Sequence, residues 1–135
     1  MREVEASRFV LAHPRAVRRT LSPESVVAAE GTFTVDAVEE TETGVVVTAV
    51  GPGMSVPLRF ESLEDGLRYT AEGEVGPFDR LETEVTVTDE ANGSRLRLRS
   101  SVSLNLPLPL ADRVAAWKRR GELRRAAEEL AASVG

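Results

Sequence analysis

Residues 78–105 read FDRLETEVTVTDEANGSRLRLRSSVSLN, and this stretch decides the fold. Apolar and polar residues alternate on both sides of Asn92-Gly93, and this alternation is the pattern of half-buried β-strands. The Asn-Gly dipeptide is the strongest two-residue signal for a hairpin turn. The stretch therefore predicts two long antiparallel strands, Phe78 to Asp89 and Ser94 to Asn105.

A loop formed by Asn92 and Gly93 also predicts the register of this hairpin. The predicted pairs are Val87 with Leu98, Val85 with Ser100, Thr83 with Val102, and Leu81 with Leu104. One face of the hairpin is then largely apolar, whereas the other face carries Thr, Glu and Arg side chains. Because a slip of one residue would mix the two faces, we expect the apolar face to lie against the core.

Turn and helix signals divide the rest of the chain into further strands and three helices. Pro14 and Ser22-Pro23-Glu24 favour helix starts, and Gly31 suits a helix end. The predicted elements are a strand over about Arg2 to Ala12, short helices over Pro14 to Leu21 and from Pro23 to before Gly31, strands over Thr32 to Thr41, Val45 to Val50, Met54 to Leu63 and Leu67 to Ala71, a turn at Gly76-Pro77, and a C-terminal helix over about 107–134. With the hairpin, this order predicts one α+β domain over residues 1–135, in which a curved, seven-stranded antiparallel sheet packs against a long C-terminal helix.

The predicted C-terminal helix carries two apolar stripes. Leu110, Val114, Trp117 and Gly121 form the first stripe, and Leu123, Ala127, Leu130 and Val134 form the second. The stripes are displaced from each other by more than a quarter turn, so a straight helix cannot bury both against a flat surface. We expect either a bend near Gly121 or a sheet that wraps around the helix and covers both stripes.

Composition and charge exclude several classes of protein. A chain of 135 residues fits one domain, and the absence of Cys excludes disulfides and zinc-thiolate sites. The net charge of −5 argues against a nucleic-acid-binding surface. No apolar run approaches the roughly 20 residues of a membrane span, and Met1 to Glu5 do not form the apolar segment of a signal peptide. We therefore expect a cytoplasmic protein that binds no nucleic acid and does not insert stably into membranes.

The sequence contains no recognisable catalytic or metal-binding set. His13 is the only His, and no Gly-x-Ser-x-Gly elbow accompanies it. The carboxylates fall mostly in turns or on outward faces, and spacing singles out no acid pair for acid-base chemistry. We expect no catalytic residue, metal or cofactor; a non-enzymatic role is favoured, with an enzymatic role left open.

A row of arginines on the second hairpin strand has two interpretations. Arg95, Arg97 and Arg99 alternate along that strand and could form a stripe that binds anions or RNA. Alternatively, they lie on the outer face of the sheet and pair with acids on neighbouring strands, among them Glu3 and Glu5. The second interpretation is favoured, because exposed cross-strand pairs are common.

Three short motifs carry a family resemblance. The start of the first helix in the START-like (SRPBCC) superfamily is similar to Leu11-Ala12-His13-Pro14-Arg15-Ala16-Val17. The start of its second helix is similar to Leu21-Ser22-Pro23-Glu24, and the turn before its last strand is similar to Gly93-Ser94-Arg95-Leu96. With the order of elements, they make the chain resemble this helix-grip superfamily, which includes pollen-allergen-like proteins, polyketide cyclases and small lipid-transfer domains. His13 and Arg18 depart from its pattern, which has Ala and often an aromatic residue there.

The resemblance implies a cavity between sheet and long helix that takes a hydrophobic or amphipathic small molecule. The predicted ligand-binding residues are Phe33, Val56, Leu58, Phe60, Tyr69, Thr83, Ser100, Val114 and Trp117. The hydroxyls of Tyr69, Thr83 and Ser100 could orient a guest, or the whole set could fill a solid core.

Three functions fit these expectations. The favoured one is binding or carriage of a lipid, isoprenoid or polyketide-like compound. The second is a polyketide cyclase or dehydratase-type enzyme, which should contain a buried ionisable group with a perturbed pKa. The third is a protein-interaction domain, which an exposed apolar patch on Met54, Leu63 or Leu108 would favour.

Overall fold

The computed structural model describes residues 2–71, 78–104 and 110–134 of the chain. Its elements are β1 (Arg2–Val10), α1 (Pro14–Arg18), α2 (Pro23–Glu30), β2 (Thr34–Thr41), β3 (Gly44–Gly51), β4 (Met54–Leu63), β5 (Gly66–Ala71), β6 (Phe78–Glu90), β7 (Gly93–Leu104) and α3 (Ala111–Ala132). The strands form one curved antiparallel sheet in the order β1-β7-β6-β5-β4-β3-β2. The predicted helix-grip architecture is therefore confirmed. The predicted turn at Gly76-Pro77 and the residue Leu108 lie outside the described residues.

Both short helices begin at the predicted prolines and α2 ends before Gly31 as predicted, whereas α1 ends at Arg18, three residues before the predicted Leu21. The Nδ1 atom of His13 accepts a hydrogen bond from the Arg15 backbone N–H at 3.1 Å, so His13 caps α1. Ser22 and Ser25 form a reciprocal capping box at the start of α2. Gly31 ends α2 with φ of 79°, a left-handed conformation that glycine adopts without strain. This end of α2 places Glu30 in the interior of the protein.

The β6–β7 hairpin has the predicted faces but a different register. The structure pairs Val87 with Leu96, Val85 with Leu98, Thr83 with Ser100 and Leu81 with Val102, so each predicted pair is wrong by two residues. The loop consists of Ala91 and Asn92, because Glu90 pairs with Gly93. A shift of two residues preserves the face of every side chain, which is why the predicted faces are right.

The role of Gly93 explains the error in register. Gly93 begins β7 and lies against β1, where an added Cβ would come within 2.4 Å of the Val10 carbonyl oxygen. Glycine is therefore required at this position by the close approach of two strands. The positive φ of the turn, 52°, is found at Ala91 instead. An Asn-Gly pair thus indicated the hairpin correctly and its loop residues incorrectly.

Helix α3 buries only one of its two apolar stripes. It packs against β1, β7 and α2 through Ala116, Arg119, Leu123, Ala126, Ala127 and Leu130. The first stripe points outward instead, since Leu110, Val114 and Trp117 are 58%, 61% and 73% exposed. Because the first stripe is exposed, the expectation that a bend near Gly121 or a wrapped sheet buries both stripes is wrong. The alanines on the buried face explain why the second stripe is the buried one, because small side chains let the helix approach the sheet closely.

Candidate ligand-binding site

A cluster of polar side chains lies buried between α3 and the inner face of the sheet. This buried polar cluster consists of Glu30 at the end of α2, Tyr69 on β5, Thr83 on β6, Ser100 on β7 and Arg119 on α3. None of the five residues is more than 6% exposed. Buried polar groups are costly unless they are hydrogen-bonded, so their partners decide whether the cluster stabilises the fold.

Arg119 is the centre of the buried polar cluster. Its Nη2 atom donates to Glu30 Oε1 at 2.8 Å and to Thr83 Oγ1 at 2.7 Å, and it also contacts the Tyr69 hydroxyl. Its Nε atom donates to Ser100 Oγ at 3.0 Å. The Tyr69 hydroxyl donates to Glu30 Oε1 at 2.6 Å. The guanidinium therefore ties α3 to α2 and to the three strands β5, β6 and β7.

The electrostatics of the cluster favour a buried ion pair between Arg119 and Glu30. Burial raises the pKa of Tyr69, because the tyrosinate form loses hydration, and the neighbouring Glu30 raises it further. Burial alone would lower the pKa of Arg119, but the negative charges of Glu30 and Glu122 outweigh that effect and raise it. Tyr69 thus remains protonated and Arg119 remains cationic at neutral pH. Such a Tyr69 cannot donate its proton readily, so the cluster is suited to holding structure and orienting a ligand.

A cleft of about 370 Å³ opens beside this cluster, between α3 and the sheet. Its apolar walls are formed by Phe33, Pro52, Met54, Leu81, Val102, Leu104, Val114 and Ala115, and its polar groups come from Thr32, Lys118, Arg119 and Glu122. Glu122 accepts a hydrogen bond from Thr32 and lies 3.5 Å from Arg119 Nη1. The cleft is thus a mostly apolar space with a few polar and charged groups in its lining.

The predicted ligand-binding residues divide into three groups and one residue that stands apart from them. Phe33 and Val114 line the cleft. Val56, Leu58 and Phe60 are at most 4% exposed and lie in the core, and Tyr69, Thr83 and Ser100 bind Arg119. The remaining residue, Trp117, does not face inward as predicted: it is 73% exposed and lies on the outer side of α3.

Sequence reasoning missed Arg119 and Glu30. A signal for Arg119 was present, because it occupies a position of the stripe Ala116, Arg119, Leu123, Ala126 and Leu130, which repeats every three or four residues. The large residues Val114 and Trp117 drew the prediction to the opposite face. Glu30 precedes the helix-ending Gly31, and no local pattern distinguishes it from a solvated acid.

The arginine row on β7 is paired with acids on the outer face of the sheet. Arg97 contacts Glu5 at 2.7 Å and Arg99 contacts Glu3 at 3.9 Å, as the favoured interpretation predicts. Arg95 binds Glu90 at 2.6 Å. These partners argue against a stripe that binds RNA or anions.

The described residues offer neither the patch expected of the third function nor a metal site. Met54 and Leu63 are half-buried, so they form no exposed patch. Among residues 2–71, 78–104 and 110–134, no group of three or more His, Asp or Glu side chains could hold a metal ion. Within those same ranges, no helix is both long enough and apolar enough to cross a bilayer.

Solved structures with the same architecture cover nearly the whole chain. TTHA0849 from Thermus thermophilus is 23% identical over 99% of this chain and 100% of that one, with a TM-score of 0.64. A START superfamily protein from Mycobacterium smegmatis is 13% identical over 98% and 96%, with a TM-score of 0.75. The di-domain ARO/CYC BexL, from the BE-7585A biosynthetic pathway, is 20% identical over 96% of this chain and 46% of that one, with a TM-score of 0.65.

These similarities concern the fold. They confirm the helix-grip fold that the resemblance implied. No protein-family model matches the chain, and no curated protein matches it.

Proposed function

We propose that this chain binds or carries a hydrophobic or amphipathic small molecule, such as a lipid, isoprenoid or polyketide-like compound, in the cleft beneath α3. The observation that carries the proposal is the cleft itself, whose walls are mostly apolar and whose lining includes Arg119 and Glu122. Small-molecule sites are typically apolar concavities with a few polar groups that fix the orientation of the guest. The carrier would act in the cytoplasm, free of nucleic acid.

The size and polarity of the cleft favour an amphipathic guest of modest size. Its volume of about 370 Å³ lies near the lower end of the range for small-molecule pockets, roughly 300–1,000 Å³. Phe33, Met54 and Leu81 would remove the apolar part of the guest from water. A hydroxyl or carbonyl group of the guest would then meet the polar lining residues Arg119, Glu122 and Thr32.

Native mass spectrometry tests this proposal. Protein unfolded and refolded without lipid would be incubated with a medium-chain fatty acid, an isoprenoid alcohol and an anthraquinone in turn. We expect a saturable 1:1 complex with at least one of them. Ala115→Phe, which fills the cleft from α3, should abolish the complex.

The matched control is Ala132→Phe, which adds the same ring to an exposed position of the same helix. This variant should bind as the original chain does, and circular dichroism should report equal helix content in both variants. If no probe binds, or if both variants bind equally well, the cleft is not the binding site and the proposal fails.

A cyclase or dehydratase-type enzyme is the second candidate, supported by one residue. Glu122 lines the cleft next to Arg119, and its side chain is 14% exposed, so its carboxylate could reach the proton of a bound guest. The similarity in fold to BexL, described as ARO/CYC, also supports this candidate. Turnover of an aromatic-precursor probe that disappears in Glu122→Gln while binding persists would favour the enzyme, and binding without turnover would favour the carrier.

A further inference from the structure

The outer face of α3 carries an exposed apolar line. Leu110, Val114 and Trp117 are 58%, 61% and 73% exposed, and Gly121 continues the line with nothing within 4 Å of an added Cβ. Val114, Trp117 and Gly121 are spaced by three and four residues, so they share one face of α3, and Leu110 precedes them at the N-cap of the helix. A tryptophan with this exposure is unusual in a chain that has only one.

Exposed cations flank this line on both sides. At about 100° per residue, Arg113, Arg120 and Arg124 fall on one flank and Lys118 falls on the other. All four are exposed, and none of them forms an ion pair with the part of the chain that the structure describes. A fifth cation, Arg125, packs over Gly31 at the end of α2.

The acids of this segment are engaged elsewhere. Between 110 and 125 the chain has two acids, Asp112 and Glu122. Asp112 accepts a hydrogen bond from the Leu104 backbone N–H at 2.9 Å, and Glu122 is bound to Arg119 and Thr32. Between Leu110 and Arg125 the outer face of α3 is therefore basic, although the whole chain has a net charge of −5. The exposed acids Glu128 and Glu129 follow in the last turns of the helix and mark the end of this basic stretch.

We propose that the outer face of α3, from Leu110 to Arg124, docks onto the surface of an anionic lipid bilayer. A central apolar line with cations on both flanks fits a flat boundary in which a charged headgroup layer covers an apolar layer. Trp117 belongs at that boundary, where its amphipathic ring is favoured. The flanking cations attract anionic headgroups, and each contributes to the free energy of docking. This contribution does not require a partner group at a fixed position.

The charge pattern argues for a bilayer over an acidic protein partner. A folded protein would need carboxylates at positions that match each cation, whereas a fluid layer of anionic lipids adapts to any spacing. The apolar line is short, so docking is reversible and weakens as salt screens the charges.

Docking would also orient the cleft. Lys118 lines both the cleft and the surface depression beside Trp117, and Val114 lines the cleft while 61% exposed, so the cleft mouth borders the docked surface. A guest could then pass between bilayer and cleft with little exposure to water. Docking itself does not depend on an occupied cleft, and a vesicle assay therefore tests it separately from the proposed function.

Trp117 provides the direct readout, because it is the only tryptophan. The protein would be titrated with vesicles of phosphatidylcholine alone and of phosphatidylcholine with phosphatidylglycerol, at low and high salt. We expect a shift of Trp117 emission to shorter wavelength and co-sedimentation with the anionic vesicles at low salt. Neutral vesicles and added inorganic phosphate should produce neither effect.

Variants with matched controls locate the surface. The pair Arg120→Gln and Arg124→Gln should weaken co-sedimentation by roughly fivefold per cation removed. Arg97→Gln with Arg99→Gln makes the same change in charge on the outer face of the sheet and should leave docking unaltered. Likewise Trp117→Ala should weaken docking, whereas Leu11→Ala, which removes a side chain that is 72% exposed elsewhere, should not.

Three results would overturn the proposal: equal binding to neutral and anionic vesicles, equal loss in both arginine pairs, or binding to polyglutamate without binding to vesicles. The cleft-filling variant Ala115→Phe should dock normally. If the Ala115→Phe variant docks but binds no small molecule, the docking surface and the cleft are separate sites. If neither the original chain nor this variant docks, the surface proposal fails while the cleft proposal stands.

Discussion

The burial of side chains on the two faces of α3 is the reverse of what their residue types suggest. The inner face carries Arg119, which is 6% exposed, and the outer face carries Trp117, which is 73% exposed. Arginine is rarely buried and tryptophan is usually well buried. Arg119 is buried because Glu30, Tyr69, Thr83 and Ser100 satisfy its donors. The comparison shows that the partners available on the sheet and on α2 decide which face of α3 turns inward.

The largest effect should follow loss of the buried cation. Arg119→Met keeps a long side chain but leaves Glu30 as a buried charge without its partner. We expect the free energy of unfolding to fall by about 3–5 kcal/mol, as when one member of a buried ion pair is removed. Urea unfolding followed by circular dichroism measures the change.

Arg120→Met is the control, since it makes the same substitution one position along, on the outer face. Its effect should stay within about 0.5 kcal/mol, as for most surface substitutions. Equal losses in the two variants would contradict a difference between the faces of α3.

A smaller effect should follow loss of the Tyr69 hydroxyl. Tyr69→Phe removes the donor at 2.6 Å from Glu30 Oε1 and keeps the ring that packs against Phe60. We expect a loss of about 1–3 kcal/mol at neutral pH, because the Glu30 carboxylate loses one of its hydrogen bonds in a buried site. The same urea titration measures it.

The pH dependence of the same variant tests the raised pKa. Burial raises the pKa of Tyr69 in the folded state, so above about pH 10 the unfolded chain releases a proton that the folded chain keeps. Stability should therefore fall with rising pH, by up to about 1.4 kcal/mol per pH unit from this residue. The Phe variant lacks this contribution, and identical alkaline slopes in the two proteins would show that Tyr69 is not buried.

The smallest effect should follow truncation of the large outer residue. Trp117→Ala removes a mostly exposed side chain, so we expect a change in unfolding free energy within about 0.5 kcal/mol. On the inner face, Leu123→Ala removes a fully buried side chain and should cost about 2–5 kcal/mol. Thermal or urea unfolding of the two variants compares the faces directly, and a larger loss for Trp117→Ala would reverse their assignment.

Local patterns predicted the elements of this fold well. Alternation along β6 and β7, the Ser22-Pro23 helix start and the Gly31 helix end each depend on neighbouring residues, and the structure agrees with all of them. The predicted hairpin register was wrong because Gly93 is required by a close contact with β1, which is distant in the chain, and not by the turn. Features set by one segment were therefore predictable, and features set by contact between segments were not.

The site shows the same limit. Phe33 and Val114 were predicted as ligand-binding residues and do line the cleft, because alternation and helical spacing place them near its edge. The ion pair between Glu30 and Arg119 joins residues 89 positions apart. Charge and spacing along the chain contain no information on such a pair until the fold brings α2 and α3 together.

The most direct test of the cleft uses the methyl group of Met54, which lies on its wall and belongs to one of only two methionines in the chain. In protein labelled with ¹³C at the methionine methyl groups, Met54→Leu assigns its NMR signal, and lauric acid is then titrated in. A saturable shift of the Met54 signal that disappears in Ala115→Phe is the predicted result. A Met54 signal that stays unchanged while lauric acid binds, or that shifts equally in Ala115→Phe, would contradict binding in the cleft.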